Sequence, residues 1–187
     1  FERLCLGQLH ETLGPNEGED PTDHYIQVLA DKTGSLIAAS ARLGIMLSGA
    51  QQEFEEPMRV FGEKVGVAFQ LIDDVIDISE AGPSGKTPGT DLRAGVPTMP
   101  VLLLRKAAAN GDQGAVDLLQ LIDGGLEEDS KLNEALVRLR NHPVAEASYL
   151  EAKRWADEAV EAIQVLPAGP VRNALELFAQ AVVDRQQ

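Results

Sequence analysis

Asp73, Asp74 and Asp77 stand within Phe69-Gln70-Leu71-Ile72-Asp73-Asp74-Val75-Ile76-Asp77-Ile78, a segment whose other residues are almost all apolar. At about 3.6 residues per turn, Asp73 and Asp77 stack on one helix face. Asp74 sits roughly a hundred degrees round, and Gln70 lies one turn earlier on the same stripe. Carboxylates crowded on a helix that must be packed on most sides repel one another and take up protons unless a cation compensates them. Hard oxygen ligands on one face, with room left for water and phosphate oxygens, suit Mg²⁺ better than zinc. The same spacing is also compatible with a solvated acidic face, so the neighbouring segments have to decide.

Just downstream, residues 80–100 contain Gly82, Pro83, Gly85, Pro88, Gly89, Gly95, Pro97 and Pro100. Helix is not expected to run through this stretch, and a connection of that length is commonly a lid or a binding loop. Within it, Gly85-Lys86-Thr87-Pro88-Gly89-Thr90-Asp91 flanks a lysine with glycines and hydroxyls, which brings an ammonium and backbone N–H donors toward a phosphate. It is not a Walker A loop, because the glycine–lysine spacing is absent and a helix precedes it. Upstream, Lys32 and Thr33 fall in the middle of an amphipathic helix that is rich in small residues through Gly49. Lys32 either points into a cavity, or reaches the surface or pairs with Asp31 or Glu17.

The elements that must position these groups are all helices. The periodicity predicts helices over residues 3–13, 24–48 with a break at Thr33-Gly34, 53–79, 98–110, 113–123, 131–140, 143–166 and 170–185, and no strand. Pro143 and Pro170 suit first turns, while Gly49, Gly124-Gly125 and Pro167 mark stops. Ala152, Ala156, Ala159 and Ile163, and further on Leu175, Phe178 and Val182, form periodic packing faces. Trp155, Tyr149 and Phe178 are expected in core or interface.

A chain of 187 residues with 44% apolar and 4% aromatic residues can bury a core as a single compact unit. Sixteen Lys and Arg against 30 Asp and Glu give a formal charge of −14, which argues against nucleic acid and anionic membrane surfaces. An anionic substrate would need local inversion of that field by divalent cations and placed lysines. No apolar run is long enough to span a bilayer. The single cysteine, Cys5, rules out an internal disulfide, suits a reducing cytoplasm and is expected to be a small buried apolar residue. His10, His24 and His142 have no ligand spacing.

In order and spacing, Gly7-Gln8-Leu9-His10-Glu11, Lys32-Thr33, Gly66-Val67-Ala68-Phe69-Gln70-Leu71-Ile72-Asp73-Asp74-Val75-Ile76-Asp77, Gly85-Lys86-Thr87-Pro88-Gly89-Thr90-Asp91-Leu92 and Pro97-Thr98-Met99-Pro100 resemble the C-terminal half of the trans-isoprenyl diphosphate synthases, the polyprenyl synthetase family. The resemblance implies an all-α helical bundle of the isoprenoid synthase type, here without its N-terminal helices, with residues 1–187 as the C-terminal part of one domain. It implies a Mg²⁺-dependent prenyltransferase that condenses an allylic diphosphate with isopentenyl diphosphate. Asp73, Asp74 and Asp77 would hold metal against the allylic diphosphate, and Lys32, Thr33, Gln70 and Lys86 would bind its oxygens directly or through the metal. Of these, Asp73, Asp74 and Lys32 would carry the catalysis. A cytoplasmic homodimer is implied as well.

Two departures qualify what the resemblance implies. Val96 stands where many relatives carry a lysine, and the first aspartate-rich motif, with the isopentenyl diphosphate pocket, belongs to a preceding half that this chain does not contain. The chain by itself is therefore expected to be inactive. Two other readings remain open: a non-catalytic subunit of a heteromeric synthase, and a terpene cyclase on the same fold, for which the sequence offers no Asn/Ser/Glu metal triad.

Overall fold

The structure, a computed structural model, describes residues 1–80 and 87–186, with no side-chain description for Gln186. Among these residues every regular element is helical. The ten α-helices are α1 (Glu2–Leu13), α2 (Pro21–Leu29), α3 (Ser35–Ser48), α4 (Glu55–Ile78), α5 (Thr90–Arg93), α6 (Met99–Ala109), α7 (Gln113–Asp123), α8 (Asp129–Arg140), α9 (Pro143–Ala162) and α10 (Pro170–Val183). A π-helical turn, Ala30–Gly34, joins α2 to α3, and single 3₁₀ turns stand at Gln52–Phe54 and Asp184–Gln186. The all-α expectation holds. The chain divides into two compact units, Phe1–Gln70 with Glu151–Gln187, and Leu71–Leu150.

In the first unit, α2 starts where Asp20 accepts N–H bonds from Thr22 and Asp23 at 2.7 and 3.3 Å, satisfying donors that the first turn leaves open. Proline follows at its first position, where no N–H is needed. α3 ends at Gly49, whose φ of 73° is the left-handed conformation that glycine adopts without a Cβ clash. Gly62 and Gly66 of α4 bring its backbone hard against α3 and the π-helical turn. A Cβ on Gly62 would meet the Ala38 Cα at 2.8 Å, and one on Gly66 would meet the Gly34 Cα at 2.7 Å. Lys64 ties α4 to α9 by pairing with Glu158 at 2.5 Å and lying 4.8 Å from the Trp155 ring centre.

In the second unit, the apolar side chains of Ile78, Leu92, Leu104, Leu118, Leu136 and Leu139 belong to one buried cluster that draws on α4 through α8. Burial of each such side chain contributes on the order of 1.5–3 kcal/mol. Arg140 donates from Nε to the Ile78 carbonyl at 2.6 Å, satisfying an open acceptor at the end of α4. His142 accepts the Val144 N–H at Nδ1, and its Nε2 lies 3.3 Å from Asp112.

Three details differ from expectation. Helix does enter the glycine- and proline-rich stretch, as the four-residue α5. Cys5 is exposed rather than buried, because α1 turns only its Gly7 face fully inward. Phe178 is 52% exposed, whereas Val182, one turn on, is buried. In α9 the expected alanine face is buried through Ala152, Ala156 and Ala159 to Ile163, just past its last helical residue.

Candidate active site

The three aspartates at the end of α4 do different things. Asp74 is buried, and its Oδ2 accepts the backbone N–H of Met99 at 3.0 Å. Thr98, the N-cap residue of α6, offers no side-chain cap of its own, so a carboxylate from another helix satisfies the first donor of α6. Asp77 does the same for α5. Its two oxygens accept from the Thr90 and Asp91 N–H groups at 3.1 and 3.2 Å, and its carbonyl accepts from the Gly89 N–H at 2.6 Å. Gly89, at φ 76°, supplies the left-handed turn that aims these donors back at α4.

Half-burial, and after it the negative charge of Asp91, raise the Asp77 carboxyl above the ordinary aspartate range, against the opposing pull of the backbone N–H bonds. Asp73 lies partly buried beside these two capping acids. Among the described residues no three Asp, Glu, His or Cys side chains converge to hold a metal by themselves.

The first unit holds Lys32 and Thr33, both partly buried on the π-helical turn, and Gln70, partly buried on α4. Lys32 is paired with neither Asp31 nor Glu17. Its Nζ contacts Glu11 of α1 at 2.6 Å, the acid of the Gly7-Gln8-Leu9-His10-Glu11 segment. Gly7 makes this possible: a Cβ there would come within 2.8 Å of the Asp31 Cβ and 3.0 Å of the Lys32 nitrogen.

Two residues that sequence reasoning missed complete this cluster. Asp31 is buried and receives bonds from Arg3 Nε at 2.8 Å and Gln27 Nε2 at 3.0 Å. Arg3 also reaches Glu63 of α4 at 2.5 Å. The available signal was the spacing of Arg3, Gly7 and Glu11, four residues apart on one face of α1. Lys86, the remaining expected phosphate ligand, lies outside the described residues.

Among known proteins, the family model described as polyprenyl synthetase matches residues 1–139 of this chain. The nonaprenyl diphosphate synthase of Mycobacterium tuberculosis is 40% identical over 186 residues, 99% of this chain and 55% of that protein. The octaprenyl diphosphate synthase of Haemophilus influenzae is 31% identical over 97% of this chain and 55% of its own length. A crystal structure of geranylgeranyl pyrophosphate synthase from Corynebacterium glutamicum, complexed with calcium and isoprenyl diphosphate, aligns with a TM-score of 0.88 at 38% identity. That alignment covers 98% of this chain and 56% of the other. The chain thus spans about half the length of the curated relatives it matches.

Proposed function

Because this chain belongs to the polyprenyl synthetase family, we propose that it carries part of a prenyltransferase, a trans-polyprenyl diphosphate synthase that condenses an allylic diphosphate with isopentenyl diphosphate. Residues 1–187 form the C-terminal part of a single domain in this reading, and the chain alone is inactive. The observation that carries the proposal is the acidic end of α4, where the carboxylates of Asp74 and Asp77, each held by backbone N–H groups, stand beside Asp73, and where burial and then the charge of Asp91 raise the Asp77 carboxyl. A divalent cation relieves that repulsion. The donor set fits Mg²⁺, which is held by one or two carboxylates together with waters and phosphate oxygens and needs no all-protein cage.

Asp73, Asp74 and Asp77 would hold the metal in this scheme, while Asp74 through Oδ2 also holds the start of α6 and Asp77 the start of α5. A bound cation would supply Lewis-acid neutralisation of diphosphate charge. The chain's own groups do the rest. The Lys32 ammonium binds diphosphate oxygens in competition with Glu11, with Thr33, Gln70 and Lys86 as further donors. Ionisation of the allylic carbon–oxygen bond puts additional charge on those oxygens, so donors aimed at them lower the barrier. Apolar helical walls keep water from the carbocation, and the departing diphosphate accepts the final proton. The exposed apolar row Leu6, Leu9 and Leu13 on α1 supports pairing into a homodimer. The single cysteine suits a cytoplasmic setting. No helix among the described residues is long and apolar enough to cross a membrane.

Calorimetry with a non-hydrolysable allylic diphosphate, with and without Mg²⁺, tests the site on the full-length protein. Metal-dependent binding that is lost in Asp73→Ala supports it, and equal binding in both proteins sinks the metal assignment. Incubation with labelled isopentenyl diphosphate then reads the reaction. Incorporation of label marks a synthase, unlabelled cyclic hydrocarbon a cyclase, and no turnover a supporting subunit.

A further inference from the structure

We infer that Arg3 and Asp31 are positioning residues, and that their ion pair fixes the π-helical turn and thereby the direction in which the neighbouring Lys32 presents its ammonium. The inference rests on the reading of Lys32 as a diphosphate ligand.

One face of α1 carries Arg3, Gly7 and Glu11, and each addresses the turn. Arg3 Nε lies 2.8 Å from Asp31 Oδ1, Gly7 lets the two backbones close up, and Glu11 takes the Lys32 ammonium at 2.6 Å. The charge order is reversed between the partners: plus then minus along α1, minus then plus along the turn. Only one docking register satisfies both pairs, because sliding α1 by one turn would break them together. Asp31 has a side chain only 10% exposed, and it is bound on the other side by Gln27. Its orientation is therefore set from two directions.

The turn needs such support. In a π-helix the N–H bonds reach back five residues rather than four, as the Ser35 N–H does to the Ala30 carbonyl here, and such turns persist where the surroundings hold them. Ser35 Oγ adds a bond to the Asp31 carbonyl at 2.6 Å. Reversion to regular α-helix would remove the extra residue from the turn and swing the residues after Asp31 by about 100°. Arg3 also grips Glu63 at 2.5 Å, and Glu63 is in turn bonded to Arg59 at 3.3 Å, so the clamp is anchored on α4.

The test uses full-length protein with Arg3→Gln, Arg3→Lys, Asp31→Asn, Lys32→Ala and the Arg3→Gln/Lys32→Ala double variant. Steady-state kinetics and the ζ-¹⁵N resonance of Lys32 are the readouts. Arg3→Gln and Asp31→Asn are expected to lower kcat/KM for the allylic diphosphate roughly tenfold or more, with KM for isopentenyl diphosphate unchanged and partial rescue in Arg3→Lys. Because Arg3 acts through Lys32, the double variant should be no worse than Lys32→Ala alone. In Arg3→Gln and Asp31→Asn the Lys32 resonance should shift. Additive losses in the double variant, or an unmoved Lys32 signal, overturn the inference. Should Arg3→Gln fail to fold, Asp31→Asn and Arg3→Lys carry the same comparison. A shifted Lys32 resonance in a protein without prenyl transfer would leave the positioning claim standing and reject the proposed function instead.

Discussion

Asp74 Oδ2 accepts the backbone N–H of Met99 at 3.0 Å, and both residues are buried, Met99 completely. One acid of the Asp-Asp-x-x-Asp pattern is thus committed to starting another helix. Loss of that acceptor strands the Met99 donor in an apolar setting.

Asp74→Ala is therefore expected to destabilise the chain by about 1–3 kcal/mol, the cost of an unsatisfied buried partner. Urea unfolding followed by circular dichroism in the absence of Mg²⁺ measures it.

Asp73→Ala is read on binding instead. Mg²⁺-dependent affinity for an allylic diphosphate analogue should fall at least about tenfold, or roughly 1.4 kcal/mol. Unchanged affinity would show that Asp73 is not a metal ligand.

The glycine seam gives a graded series. Gly66→Ala puts a methyl 2.7 Å from the Gly34 Cα, and Gly7→Ala puts one 2.8 Å from the Asp31 Cβ. Backbone cannot yield as a flexible side chain does, so each change should cost about 1–3 kcal/mol, Gly66→Ala the more. Gly44→Ala, in α3 with nothing within 4 Å, should instead stabilise by about 0.4–1 kcal/mol. Thermal unfolding of the three variants reads the order directly.

Acid stability depends on Glu158. The Lys64 hydrogen bond, after it burial working in the other direction, and then the charges of Lys64 and Arg154 leave its carboxyl below the ordinary 4.5. A carboxylate whose folded value is depressed contributes stability that is complete above the unfolded value and is lost as pH falls through the folded one. Glu158→Gln should accordingly lower stability at neutral pH and flatten the acid limb below about pH 4.5, with the two curves converging in strong acid. Denaturation midpoints between pH 2 and 7 decide it, and parallel curves would refute the coupling.

Most of the helices were legible because apolar periodicity and proline or glycine punctuation are local signals. Residues 113–123 coincide with α7, and α9 and α10 open at Pro143 and Pro170 as those prolines suggest. The break at Thr33-Gly34 was visible too, as the π-helical turn Ala30–Gly34, but its cause was not, since Gly34 is pressed by Gly66 from another helix. α5 escaped notice because a four-residue helix is held by Asp77, thirteen residues before Thr90. Periodicity also treated the three aspartates alike. What separates them is which backbone N–H each one meets, and that is decided by where α5 and α6 begin. The partner of Lys32 was misjudged for the same reason, Glu11 being distant in sequence and near only after α1 docks.

The Glu11–Lys32 contact has a bearing on selectivity. A carboxylate tethered beside the ammonium is an internal counter-ion at high effective concentration, so chloride or a single phosphate must outbid it to settle there. In the proposed reading of Lys32 as a diphosphate donor, a ligand that brings several negative oxygens would clear this threshold where weaker anions fail. In a chain of net charge −14, this partly buried cation would thereby be kept from passing anions until a polyanion arrives.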